Sequence, residues 1–240
     1  NVIASTMWNQ YPAARVDADG FATLPSGTPL AKAKHWYLFN EGVGSNIVDH
    51  AGNYHMPIGV NCAWTNSPYG TALNTYIPAA TSTRAATITG AVTSDSDWTV
   101  AWCMYSDVLE TGKQYPAYLY ESSANYLRIF AHTSAYMTLA SASPTMSRNV
   151  RCDNPNTDWS WFALSHDADT CTLTAMTLRN DTSTEVFSWM ASTYFTAATA
   201  INVYFDGALS TTTQPGTAAY AFFGVWTNTI TRSDLAWLRD

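Results

Sequence analysis

The stretch Trp98-Thr-Val-Ala-Trp-Cys-Met-Tyr105 constrains this chain more than any other. Trp98, Val100, Trp102 and Met104 fall on one side of a two-residue period. Thr99, Ala101, Cys103 and Tyr105 fall on the other. Alternation at period two, in aromatic and β-branched residues, is a strand buried on at least one face and cannot be an amphipathic helix. The same pattern predicts strands over His35–Asn40, His55–Val60, Ala72–Ile77, Ala117–Glu121, Tyr126–Ala131 and Ala135–Leu139. It continues over Trp159–His166, Cys171–Leu178, Glu185–Trp189, Ile201–Phe205 and Ala219–Trp226. Turn residues separate them: Gly42, Gly44, Gly52-Asn53, Asn180-Asp181, Asp206-Gly207, and a four-residue hairpin loop at Asp167-Ala-Asp-Thr170. Short strands at regular spacing within 240 residues read as one all-β, antiparallel sandwich.

Composition agrees where it can be used. Glu and Lys, the common surface helix formers, number four and three. One helix is predicted near the end, where Thr231-Arg-Ser-Asp234 has the form of a capping box and Leu235 and Leu238 follow at helical spacing. Residues 1–33 are rich in Ala and Pro with weak strand signals, and read as an N-terminal arm packed on the sandwich, or a tether to something else, ahead of a sandwich over 34–240. Residues 79–96, mostly Ala, Thr and Ser, read as a long loop with a short strand.

Charge excludes some partners. The net charge is −7, and the eleven basic residues are scattered singly, so no nucleic-acid stripe exists. No run of about 18 apolar residues predicts membrane insertion, and no basic start with an apolar run predicts a secretion signal. Cys62, Cys103, Cys152 and Cys171 contain no C-x-x-C pair. Cys103 reads as a small buried hydrophobe. Cys152 and Cys171 flank a hairpin arm, and a bridge there requires Cα atoms within ~7 Å.

Three blocks in order resemble the LamG-like jelly-roll domains of the concanavalin A-like lectin/glucanase superfamily. They are Trp36-Tyr-Leu-Phe-Asn-Glu-Gly-Val-Gly44 with Ile47-Val-Asp49 and Gly52-Asn53; Trp98-Thr-Val-Ala-Trp102; and Trp159-Ser-Trp-Phe-Ala-Leu-Ser-His-Asp167 with Cys171-Thr-Leu. The end, Ala221–Asp240, is similar to the family's last strand and short helix. The resemblance implies two stacked sheets of about six or seven strands each. It also implies a Ca²⁺ site near Asp49 and Asn53. The acidic pair that usually opens the family's last strand is absent, since Ala221-Phe222 or Phe223-Gly224 stands there.

A retaining glucanase of this fold needs two carboxyls ~5–5.5 Å apart, hence on alternate positions of one strand. Glu41, Glu110, Glu121 and Glu185 are all far apart in sequence. Asp95/Asp97 and Asp167/Asp169 have the parity but fall in loops and read as turn residues. His50 and His55 straddle a turn and read as structural. Ser165-His166-Asp167 points to alternating faces and is no triad. Tyr126 and Arg128 have the parity of the Tyr/Arg pairs of polysaccharide lyases. Aromatics outnumber what a core requires, and sugar rings lie against exposed Trp and Tyr. The expected carbohydrate-binding residues are Trp64 and Tyr69 in the loop Cys62–Tyr69, with Tyr115 a further loop candidate, and Tyr118 and Tyr120 on one strand face that lines a groove with Tyr126.

These residues lead to a non-catalytic, lectin-like module that binds glycan or surface polysaccharide or mediates adhesion, at an extracellular or particle surface. The alternative is a structural or decoration protein of a virus particle or cell surface, engaging other subunits through residues 1–33. A polysaccharide hydrolase or lyase is the third reading, demoted by the missing Glu pair.

Overall fold

A computed structural model describes residues 28–51, 54–58, 62–77, 84–108, 116–132, 136–141, 145–151, 158–178, 184–207 and 216–239. The strands are β1 (Ala33–Tyr37), β2 (Asn46–Ile47), β3 (Met56–Pro57), β4 (Cys62–Ser67), β5 (Gly70–Ile77), β6 (Arg84–Thr93), β7 (Trp98–Val108) and β8 (Ala117–Tyr120). They continue as β9 (Tyr126–His132), β10 (Tyr136–Ser141), β11 (Met146–Arg151), β12 (Ser160–Asp167), β13 (Thr172–Thr177), β14 (Thr184–Ser188), β15 (Ala200–Gly207) and β16 (Gly216–Trp226). One helical turn, α1 (Ala191–Tyr194), and the C-terminal helix α2 (Arg232–Arg239) complete the chain.

Two antiparallel sheets form a sandwich. The larger has eight strands in the order β14-β13-β12-β7-β16-β5-β4, with β1 also on β16; the smaller has six, in the order β11-β10-β9-β8-β15-β6. Strand β7 shows why. Its expected face, Trp98, Val100, Trp102 and Met104, lies in the core between the sheets with Leu119, Leu127, Ile129, Leu139, Val203 and Phe205. Its other face, Ala101 and Cys103, is buried too, in a second core on the outer side of the larger sheet. Leu235 and Leu238 of α2 and Leu30 cover that side, beside Trp36, Trp161, Phe222 and Trp226. The larger sheet is therefore an inner layer of three.

The capping box forms as the sequence predicts. Thr231 donates its N–H and its hydroxyl to Asp234 Oδ2 at 2.7 and 2.8 Å, and the Asp234 N–H donates back to Thr231 Oγ1 at 3.1 Å. The turn aspartates also hold. Asp167 Oδ1 accepts from the Thr170 N–H, Asp97 Oδ1 from the Ala168 N–H, and Asp95 Oδ2 from the Ala198 N–H.

Four segments differ from the sequence reading. Residues 62–67 are not loop but edge strand β4, paired along its length with β5. Residues 84–93, inside the stretch read as a long loop with a short strand, are the ten-residue edge strand β6, longer than expected. Its Ala and Thr residues give little periodic signal, and a bulge interrupts it: Gly90 has φ +60°, the register against β15 shifts between Ile201 and Val203, and Lys34 Nζ donates to the Gly90 and Ala91 carbonyls. Met146–Arg151, assigned no element from sequence, is the edge strand β11. The predicted His55–Val60 strand shrinks to Met56–Pro57 within the described residues.

The segment Thr28–Lys32 packs as part of the sandwich. Leu30 is buried, and the Trp226 indole N–H donates to the Pro29 carbonyl at 2.8 Å. Cys103 is buried and Cys171 is exposed with a free thiol; Cys152 lies outside the described residues. No helix among the described residues is long and apolar enough to cross a membrane.

Candidate functional site

The three strand tyrosines expected at a binding face come together. On the six-stranded sheet, odd residues of β8 and β9 enter the core, so Tyr118, Tyr120, Tyr126 and Arg128 take the opposite, outer face. Strand β15 adds a fourth ring: Tyr204 pairs with Tyr118, Tyr118 with Arg128, and Tyr120 with both Asn202 and Tyr126. Ring centroids are 5.3 Å apart for Tyr118–Tyr126 and Tyr120–Tyr204, and 6.1 Å for Tyr118–Tyr204. The guanidinium of Arg128 sits 5.8 Å from the Tyr126 ring centroid.

The four rings are not equally available. Tyr118 and Tyr204 are each only 6% exposed and form the floor, while Tyr120 and Tyr126 are half-buried and form the accessible surface. The hydroxyls of Tyr120 and Tyr126 make no hydrogen bond within the described chain. Tyr204 and Asn202 were missed from sequence. The period-two reading of Ile201–Phe205 places them on one face, but only the β8–β15 pairing brings them beside Tyr118.

Trp64 and Tyr69 go elsewhere. Trp64 pairs with the core residue Leu73, packs against the inter-sheet core and donates its indole N–H to the Gly44 carbonyl at 3.3 Å. Tyr69 occupies the β4–β5 turn. Its hydroxyl accepts from Trp161 Nε1 at 2.9 Å, and its ring meets Trp159 and Trp161 edge-on. Burial holds the Tyr69 phenol above the ordinary tyrosine value. Tyr115 lies outside the described residues.

Asp49 is fully buried, and its carboxylate meets four donors. Oδ1 accepts from the Trp36 and Ala51 N–H groups at 3.1 and 3.0 Å; Oδ2 is 2.8 Å from both the Tyr54 N–H and His35 Nδ1. A cation at Asp49 has to displace these donors. Asn53, its expected companion, lies outside the described residues. Among those described, no group of three or more His, Cys, Asp and Glu is arranged to hold a metal ion.

Glu41, Glu121, His50, His55 and His166 are each engaged by backbone groups or a neighbouring ring. Glu41 accepts from the Val48 N–H at 2.8 Å, and burial raises its carboxyl above the usual range. Glu121 accepts from the Thr196 N–H at 2.8 Å. His55 Nδ1 accepts from the Asp49 N–H, His50 stacks on Trp36 at 4.8 Å, and His166 Nδ1 lies 2.7 Å from the Ser96 carbonyl. Ser165 bonds Thr99, away from His166.

No protein-family model matches the sequence, and no curated protein matches it. Solved structures do. The Trypanosoma rangeli sialidase in complex with sialic acid superimposes with a TM-score of 0.62 at 11% identity, over 98% of this chain and 37% of that one. The binding domain of Paraclostridial Mosquitocidal Protein 1 gives 0.61 at 9% identity, over 88% and 52%. A botulinum neurotoxin type C structure, from a toxin whose cell entry depends on two ganglioside molecules, gives 0.58 at 9%, over 88% and 51%. The chain spans about half the length of these proteins or less. At such identities the likeness is one of fold, shared with toxin binding domains and a sialidase.

Proposed function

We propose that the chain is a glycan-binding β-sandwich module that recognises sugar without cleaving it and works at an extracellular or particle surface. The observation that carries this reading is the tyrosine face of the six-stranded sheet. Four rings from three adjacent strands form a continuous aromatic platform, with two hydroxyls uncommitted and Asn202 and Arg128 at its border. Aromatic rings supply flat apolar area for the C–H side of a sugar, and the bordering polar groups supply direction. The LamG-like motifs support the reading, as do neighbours bound to sialic acid or dependent on gangliosides. Binding is favoured over cleavage by a carboxylate pair because Glu41 and Glu121 each serve a backbone N–H in a different loop, whereas that route needs two facing carboxyls. The competing reading, a structural subunit linked through residues 1–33, gains nothing from Thr28–Lys32, which pack on their own sandwich.

A glycan array with the parent, Tyr120→Ala and Tyr126→Ala tests it. The parent is expected to bind a discrete set of glycans, and each variant to lose about two- to tenfold, the worth of one aromatic contact. A parent that binds no glycan, or variants that bind as the parent does, would overturn it.

A further inference from the structure

The outer face of the larger sheet has an opening that α2 and Leu30 leave uncovered. It is a groove of about 270 Å³ lined by Thr65, Asn66, Asn74, Tyr105, Trp159, Ala218 and Ala219. Register explains its shape. Ala219 pairs with Asn74 on one side and with Tyr105 on the other, so a methyl group stands between an amide and a phenol ring. The small residues of β16 form the floor. Tyr105 and Trp159, stacked at 5.8 Å and 30°, form one wall, and Thr65, Asn66 and Asn74 of β4 and β5 form the other.

Four polar side chains here are uncommitted. The side chains of Thr65, Asn66 and Asn74, and the indole N–H of Trp159, make no hydrogen bond within the described chain. This contrasts with the first loop, where Asp49, Glu41 and His55 all have backbone partners. Two amides and a hydroxyl opposite an aromatic wall offer donors and acceptors to neighbouring hydroxyls, and a flat surface to the ring that carries them. None of the seven lining residues is charged, and the chain's net charge is −7. A carboxylated sugar entering the groove would lose water without gaining a cation. The volume lies just below the roughly 300–1,000 Å³ typical of drug-sized ligands, which suits one sugar ring and not a chain.

We propose that this groove is a second sugar site, selective for a single uncharged pyranose. It extends the glycan-binding reading to the other sheet and shares no residue with the tyrosine face, so either site can fail without the other.

NMR titration of the ¹⁵N-labelled full chain tests it, following the Trp159 indole resonance. The probes are the methyl glycosides of glucose, galactose, mannose, N-acetylglucosamine and N-acetylgalactosamine, with N-acetylneuraminic acid as the anionic comparison. At least one neutral glycoside is expected to shift Trp159 saturably, and more tightly than the acid. Asn74→Ala is expected to weaken it about fivefold, the loss of one hydrogen bond. Ala219→Leu, which fills the floor and removes no polar group, is expected to weaken it at least tenfold. Tyr120→Ala is expected to leave it unchanged. The proposal is overturned if no neutral glycoside moves Trp159, if the acid binds as well, or if Ala219→Leu remains folded by its amide spectrum and binds as the parent does. Loss of glycan-array binding in Tyr120→Ala with these shifts intact separates the two sites.

Discussion

At Asp49 the structure supplies hydrogen-bond partners that a sequence reading lacks. An Asp before Gly-Asn reads equally as a turn former or as a cation ligand. The difference lies in donors that no local pattern reveals: the Trp36 N–H and the His35 ring arrive from β1, thirteen and fourteen residues earlier. Its neighbour His50 sets a pH limit on the same loop. Burial pushes the His50 imidazole down to about 4, with Asp49 opposing and His55 reinforcing the shift. Its Nε2 is buried without a partner in the structure. Above about pH 6.5 the imidazole is neutral in both folded and unfolded chains and costs nothing. Between about 6.5 and 4 the unfolded chain takes up a proton that the folded chain refuses, so stability falls as the pH falls. Below about 4 this group adds no further loss. His50→Phe keeps the stack on Trp36 and removes the proton. Urea unfolding at pH 8 and pH 4.5 is expected to show the parent losing about 2–3 kcal/mol more than the variant over that interval. Equal losses would mean that His50 is protonated in the folded state.

Among the elements, legibility followed side-chain size. Strands with large alternating residues, such as β7, β12 and β16, stand out, as does α2 through its capping box. Edge strands β4, β6 and β11 do not, because an edge strand needs few large residues and its pairing is decided by a partner distant in sequence. Tyrosines Tyr118, Tyr120 and Tyr126 were readable as one face because two β8 residues share parity and β9 follows directly. Even a well-read strand hides a steric rule. In β16, Phe222, Gly224 and Trp226 share the outer face, and both rings lean over the glycine. A Cβ on Gly224 would lie 2.5 and 2.7 Å from two atoms of the Trp226 ring and 3.0 Å from Phe222. Both rings are fully buried, so neither can swing away freely. Gly224→Ala is therefore expected to destabilise by about 2 kcal/mol or more, an overpacking cost, lowering the melting temperature by roughly 4–8 °C. Calorimetry showing a fall under about 1 °C would mean that the outer core has slack the packing does not show.

The whole molecule is asymmetric in how its two sheets meet solvent. The six-stranded sheet is covered on its inner face and leaves its tyrosines outward. The larger sheet is covered on both, and its outer cover comes from opposite ends of the described chain: Leu30 before β1, and Leu235 and Leu238 after β16. The Trp226 indole, held to the Pro29 carbonyl, ties the two ends together at one point. The hydrophobic spacing of α2 was legible, but for residues 28–32 the choice between an arm packed on the sandwich and a tether stayed open, since a three-residue turn with one leucine has no period to read. If that segment is part of the fold, removing its anchor should act like a core truncation; if it is a detachable arm, it should act like a surface change. Leu30→Ala decides between them. With Leu30 2% exposed in the outer core, the substitution is expected to cost about 2–4 kcal/mol and to lower the melting temperature by roughly 4–16 °C, as cavity-forming truncations do in chains of this size. The tyrosine face lies beyond the inner core from this cavity, so glycan binding at 20 °C should persist in the same variant. A change within ±0.5 kcal/mol, the range of ordinary surface substitutions, would return residues 28–32 to the arm and leave α2 as the outer core's cover.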